Sequence, residues 1–296
     1  VEAAKKALAD AGKAASDVDL IIVATTTPDM TFPAVASIVQ AKLGAGVGIA
    51  FDVQAVCSGF VYALSVADGF VARGLSKCAL VIGAEEMTRL MDWTDRTTCV
   101  LFGDGAGAVV LEPREGQGTK ADQGLLGFAL RCDGTKTDLL YVDGGPATTG
   151  AVGHLRMLGN QVFRHAVVNI SEAIAAACEA AGREATTLPS IFASTYGEIA
   201  ITDYMCATLA SDPRAISPTR FHNSVHNAAA GYWTIGAGCT ATTTAISAGP
   251  ATFAQGLLEA LAQLATGTPA VLLVAYDIAA TGLLATLTPS GGLLGT

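Results

Sequence analysis

The chain has 296 residues, a formal net charge of −9, and 51% hydrophobic against 15% charged residues. That supplies core for one large domain or two fused halves and argues against a nucleic-acid binder or a protein of the membrane surface. No apolar run approaches the roughly 20 residues of a membrane-spanning helix, and no secretory leader is visible. Seven cysteines without CxxC pairs or histidine spacing point to a reducing, cytoplasmic compartment and away from a disulfide framework or a metal site.

In chain order, Glu2 to Ala11 has the pattern of a helix closed by Gly12. It reads as an interior element behind Val1, so we expect a fragment whose N-terminal strand and first loops are missing. Val18 to Thr25 is a buried strand, followed after Pro33 by a helix to about Leu43. A second strand runs from Ile49 toward Cys57. Phe60, Leu64, Ala67 and Val71 then fall at helical spacing, and Lys77 to Ala84 is a third strand. Near-continuous apolar strands alternating with helices predict an α/β chain with a mostly parallel sheet covered on both faces. Beyond it we expect a hairpin with arms Gly105–Glu112 and Leu125–Arg131, and a polar loop over 113–124. A long Gly-, Thr- and Asp-rich loop is expected over 133–160. A second unit opens with a helix from Val162 to Ala181 and a short strand over 189–194. A faint repeat aligns Cys57-Ser58-Gly59 with Ser247-Ala248-Gly249, each followed by a helix and a strand.

Cys57 is the candidate nucleophile. At a strand-to-helix elbow its thiol would lie beside the unpaired N–H groups and positive end of a helix, which favours thiolate. The alternative is a small buried hydrophobe. Gly103-Asp104-Gly105-Ala106-Gly107 is not G-x-G-x-x-G and precedes a strand, so tight turn geometry fits better than nucleotide binding. His154 and His165 read as structural or surface residues.

Five ordered segments carry a family resemblance: Ala24-Thr25-Thr26-Thr27-Pro28-Asp29, Phe32-Pro33, Cys57-Ser58-Gly59-Phe60, Asp92-Trp93-Thr94-Asp95-Arg96 and Phe102 to Ala108. Their order and spacing from Val1 to about Gly182 resemble β-ketoacyl-acyl-carrier-protein synthase III, the initiating condensing enzyme of fatty acid synthesis. The resemblance implies a thiolase-like fold, a duplicated α/β domain layered αβαβα, assembled as a homodimer. It also implies that Cys57 takes an acyl group from acyl-CoA as a thioester. Malonyl on an acyl carrier protein then loses carbon dioxide, and its carbanion attacks that thioester. No cofactor is implied beyond the coenzyme A thioester, which is a substrate. Phe32 matches a residue that lines the partner's acyl site, the alternative being an ordinary core aromatic. Arg96 matches an arginine near the adenine of coenzyme A, the alternative being a surface ion pair with Asp92 or Asp95.

The second half, 183–296 against 1–182, departs from that pattern. Synthase III carries a histidine followed by Gln-Ala-Asn after its strand, whereas Phe192 to Glu198 contains no histidine. The family's C-terminal glycine-rich segment is replaced by Val274-Ala275-Tyr276-Asp277-Ile278. Ile216 to Trp233, within a stretch from about Leu188 to Leu284, resembles instead the β-ketoacyl synthase-like N-terminal domains found beside aryl-polyene and polyketide genes. The resemblance matches Asn227 to an asparagine that donates to the enolate oxygen. His226 adjoins it and His222 lies four residues earlier. If the window is helical the two histidines share a face, as catalytic donors on the enolate side or as structural groups. A metal is disfavoured because no third ligand accompanies them. Three functions follow: a condensing acyltransferase, an ester- or amide-forming acyltransferase that keeps the cysteine, and a catalytically weak partner subunit.

Overall fold

The computed structural model describes residues 1–96, 98–119 and 122–276. Two compact units interleave along the chain. The first comprises Val1–Met91, Gly103–Gly134 and Gly144–His154, and the second Asp92–Phe102, Thr135–Asp143 and residues from Leu155 onward.

The first unit is built on β1 (Leu20–Ala24), whose five residues are all buried. Its alternate side chains feed two cores, so the strand must be covered on both faces. Ile21 and Val23 pack with Ala4 and Leu8 of α1 (Glu2–Asp10) and with Ala36 and Val39 of α2 (Val35–Leu43). Leu20, Ile22 and Ala24 pack with Ala63 and Ala67 of α3 (Gly59–Ala72). β2 (Ile49–Val53) and β3 (Ala79–Glu86) flank β1 in parallel, and β4 (Asp104–Leu111) closes the order β2-β1-β3-β4 by pairing antiparallel with β3. Asp52 of β2 accepts the Val35 and Ala36 N–H groups at 2.7 and 2.8 Å, capping α2. Gly44, with φ 69°, ends that helix in the left-handed conformation a glycine adopts freely.

The expected hairpin is corrected here. β4 pairs with β3, and residues 125–131 form no strand. The expected loop over 133–160 instead holds a 3₁₀ turn and a two-stranded sheet of β5 (Leu140–Gly145) and β6 (Ala151–Met157).

The second unit carries α4 (Gly159–Ala180) and repeats the three parallel strands: β7 (Ser190–Ala193) lies between β8 (Thr243–Ile246) and β9 (Leu272–Ala275). α5 (Ile199–Ser211), α6 (Pro218–Asn223) and α7 (Ala228–Ala237) stand between β7 and β8 in the chain, and α8 (Thr252–Ala265) between β8 and β9. α8 matches α3 in length, 14 residues each, at an offset of 193 (Gly59 to Thr252); β3 and β9 keep that offset, Ala79 to Leu272. The repeat is therefore real, but its register is 193 and not the 190 of the triplet alignment. Pro250, not a residue of the Ser247 triplet, stands where Cys57 stands. Asp277 and Ile278, and the rest of the second half to Thr296, lie outside the described residues.

Candidate active site

Cys57 lies in a single 3₁₀ turn, Val56–Ser58, between the end of β2 and the first residue of α3. The strand-to-helix elbow expected from the sequence is present. It is tight: Val56 has φ 48°, a left-handed conformation that is costly for a β-branched residue. The second elbow has the same shape without that cost. Ala55 (φ −147°, ψ 30°) corresponds to Ala248 (φ −146°, ψ 32°), and Val56 to Gly249 with φ 56°. There the Thr252 hydroxyl accepts the Ala248 N–H at 2.9 Å and donates to the Gly249 carbonyl at 2.7 Å. In the first elbow buried Gly59 holds that place and brings no hydroxyl. The second elbow is closed on itself and carries a proline; the first presents a thiol.

Cys57 is exposed, so the reading of it as a buried hydrophobe fails. The expectation of a favoured thiolate is also corrected. Desolvation by the surrounding protein raises the thiol above its ordinary value, and the Glu85 carboxylate adds to the rise; a hydrogen bond from the residue's own backbone opposes them. The thiol therefore gives up its proton less readily than an ordinary cysteine, and it is the thiolate that is nucleophilic.

Glu85, near the end of β3, was not singled out by sequence reasoning. It organises the carboxyl ends of the parallel strands, where α/β sheets bind ligands. Its Oε1 accepts the Thr26 N–H at 2.9 Å and its Oε2 the Thr27 hydroxyl at 2.7 Å. Thr27 Oγ1 in turn accepts the Glu86 N–H at 2.8 Å, and Gln54 Nε2 donates to Thr26 Oγ1 at 2.9 Å. Burial raises the Glu85 carboxyl above the ordinary range despite the Thr27 and Thr26 hydrogen bonds that lower it. Asp104, in the glycine-rich segment, accepts the Thr88 N–H and hydroxyl at 2.9 and 2.7 Å at the start of β4. That is turn chemistry, not a phosphate cradle.

In the second unit, His222 belongs to α6, which ends at Asn223. His226 and Asn227 lie in the turn before α7. The window is not one helix, so the shared face expected for His222 and His226 does not form. Pro218 starts α6 behind the Ser217 cap, and the six-residue helix stops before His226. His226 Nε2 lies 2.7 Å from the Ser194 carbonyl oxygen and so carries the proton, leaving Nδ1 as acceptor in the neutral ring. The ring also lies over Gly197, a residue of the segment where the histidine of synthase III is missing. Exposed His222 meets Tyr232 edge to face at 6.5 Å, and Asn227, exposed, precedes α7 without a side-chain cap.

Phe32 is 81% exposed, which overturns the core-aromatic alternative. Arg96 is exposed. Asp92, offered as its ion partner, is held instead by Arg156 at 3.0 Å, and Arg156 also reaches Asp143 at 2.8 Å. Hydrogen bonds from Thr94 and then Arg156 hold the Asp92 carboxyl at about 2. Arg156 carries no motif, so nothing in the sequence marked it. Among the described residues no group of three His, Cys, Asp or Glu side chains is placed to hold a metal ion, and no helix is long and apolar enough to cross a membrane.

Comparison with known proteins places these features. Residues 51–134, which include Cys57, Glu85 and Arg96, match the family model of 3-oxoacyl-[acyl-carrier-protein] synthase III. Residues 161–288 match that of the β-ketoacyl synthase N-terminal domain. The β-ketoacyl-[acyl-carrier-protein] synthase III of Caulobacter vibrioides is 82% identical over 181 residues, 61% of this chain and 56% of that one. Among solved structures, the 3-oxoacyl-[acyl-carrier-protein] synthase III of Aquifex aeolicus VF5 aligns with a TM-score of 0.57 at 41% identity, over 64% of this chain and 58% of that one. The priming β-ketosynthase of the R1128 polyketide pathway gives 0.55 at 31% identity, over 75% and 66%. The fold is thus thiolase-like. The first part of the chain is a relative of synthase III, and the second matches the N-terminal domain of β-ketoacyl synthases. The chain spans 56% of the length of the Caulobacter relative.

Proposed function

We propose that the chain is an acyltransferase of the condensing type. It takes an acyl group from a coenzyme A thioester onto Cys57 and joins it to malonyl on an acyl carrier protein. One observation carries the reading. Of seven cysteines, Cys57 is the one at an elbow between a parallel strand and a helix, inside the stretch that matches synthase III. In the first step the deprotonated sulfur attacks the thioester carbonyl and the coenzyme A thiolate leaves. In the second, loss of carbon dioxide from malonyl leaves an enolate that attacks the acyl carbon, and the Cys57 sulfur departs.

His226, with Asn227 and His222, are the proposed donors on the enolate side. Phe32 is proposed to line the acyl site of a partner in a homodimer, which its exposure supports, and Arg96 to meet the adenine of coenzyme A. We read 1–182 and 183–296 as the two thiolase-like halves, and the cytoplasm as the compartment. A second reading, acyl loading followed by ester or amide formation without decarboxylation, is favoured by one observation. Ser194 to Glu198 carries no histidine, and Nε2 of the nearby His226 is engaged by the Ser194 carbonyl. Carbon dioxide release from malonyl-carrier protein in the presence of acetyl-CoA tests the choice. Release that His226→Ala abolishes supports condensation. Loading without release supports the second reading, and neither supports a partner subunit that positions another enzyme.

A further inference from the structure

We propose that Glu85 is a positioning residue for Cys57: its carboxylate ties the segment after β1 and, through Gln54, the exit of β2 to the end of β3, and so fixes the elbow that presents the thiol. The inference rests on the reading of Cys57 as the acyl-carrying residue.

The geometry is directional. A carboxylate only accepts, so the Thr27 hydroxyl hydrogen points to Glu85 Oε2 and the Thr26 N–H to Oε1, while Thr27 Oγ1 itself accepts the Glu86 N–H. A carboxylate accepts on both arms, whereas a carboxamide keeps one acceptor, turns the other arm into a donor and so displaces the Thr27 hydroxyl hydrogen from its place. Thr26 Oγ1 then receives Gln54 Nε2, three residues before Cys57, so the chain entering the elbow hangs from the same clamp. The other carboxylates at this end of the sheet are committed elsewhere. Glu86 pairs with Arg89 at 2.8 Å, Asp52 caps α2, and Asp104 holds Thr88. After desolvation, which raises the Cys57 thiol most, the Glu85 carboxylate pushes it the same way.

The test uses the full chain with Glu85→Gln and Thr27→Val, and reads two rates assigned to Cys57 by mass spectrometry: iodoacetamide alkylation against pH, and loading from acetyl-CoA. Glu85→Gln removes a negative charge and one acceptor, so the alkylation midpoint should move to lower pH while loading slows about tenfold or more, as misplaced reacting groups do. Thr27→Val keeps the charge and cuts the clamp, so loading should slow with the midpoint close to wild type. A folded Glu85→Gln protein with either readout unchanged would overturn the proposal. If Glu85→Gln does not fold, wild-type loading by Thr27→Val would overturn it and slowed loading would support it. Failure of the parent reading shows separately, as a wild-type chain that never loads acetyl on Cys57 although its alkylation profile remains measurable.

Discussion

Gly256 offers a sharp test of how the second unit is packed. It lies in α8 against β7 and β9, where a Cβ would stand 2.8 Å from the Ala193 Cβ and 3.2 Å from Leu273 Cδ1. Carbon atoms in contact prefer about 3.5–4.0 Å, and the Ala193 methyl cannot rotate away, so the helix must lift from the strand. Overpacking of this kind costs about 1–3 kcal/mol, against about 1 kcal/mol gained when alanine replaces glycine inside a helix. Gly231, inside α7, faces open space: a Cβ there would meet nothing within 4 Å. Gly231→Ala should therefore gain about 1 kcal/mol with no penalty. The two variants make the same chemical change and should differ by about 1–3 kcal/mol, with Gly256→Ala the less stable. Urea unfolding followed by far-UV circular dichroism reads that difference as displaced midpoints at similar slopes. Equal midpoints for the two variants would refute the close contact of α8 with β7.

Three further outcomes are expected. Asp52→Ala leaves the Val35 and Ala36 N–H groups of α2 without their acceptor, which should cost about 0.5–2 kcal/mol in urea unfolding; Asn should recover part of it. Burial works to raise the Asp19 carboxyl, but the Ser76 hydroxyl and the Lys77 and Cys78 N–H groups outweigh it and hold the pKa below the ordinary range. The folded value is thus below the unfolded one, so Asp19 stabilises the fold above about pH 4 and loses that contribution as pH falls through the folded value. A plot of stability against pH should be flatter on its acid side for Asp19→Asn, and an unchanged acid limb would count against the network. Alkylation of Cys57 should show its midpoint above the ordinary thiol range, because desolvation and then Glu85 raise the pKa; a midpoint below that range would restore the simple helix-dipole picture.

Much of the first unit was legible because its signals are local. The apolar run of β1, buried on both sides, and the closure of α2 by Gly44 follow from period and turn chemistry. So does the break between strand and helix around Cys57. What escaped depends on partners distant in the chain. β4 has the composition of a hairpin arm, yet its mate is β3. β5 ends in two glycines, and β6 places His154 and Arg156 among its apolar residues, so neither carries a strong strand pattern. The repeat was seen in the wrong register for a physical reason. Aligning by glycine pairs Gly249 with Gly59, but Gly249 serves the left-handed position that Val56 holds under strain. Glu85 and Arg156 likewise act on groups remote in sequence, Thr26 and Thr27 for one, Asp92 and Asp143 for the other. The rule that α/β sites gather at strand carboxyl ends would have pointed to Glu85.

The most direct measurement is acetyl loading. The chain is incubated with acetyl-CoA, digested, and the seven cysteine-bearing sites are read by mass spectrometry. The account predicts one hydroxylamine-sensitive acetyl group, on the peptide that carries Cys57, and none in Cys57→Ala. Acetylation on another cysteine, or none on Cys57 in the folded chain, would contradict it.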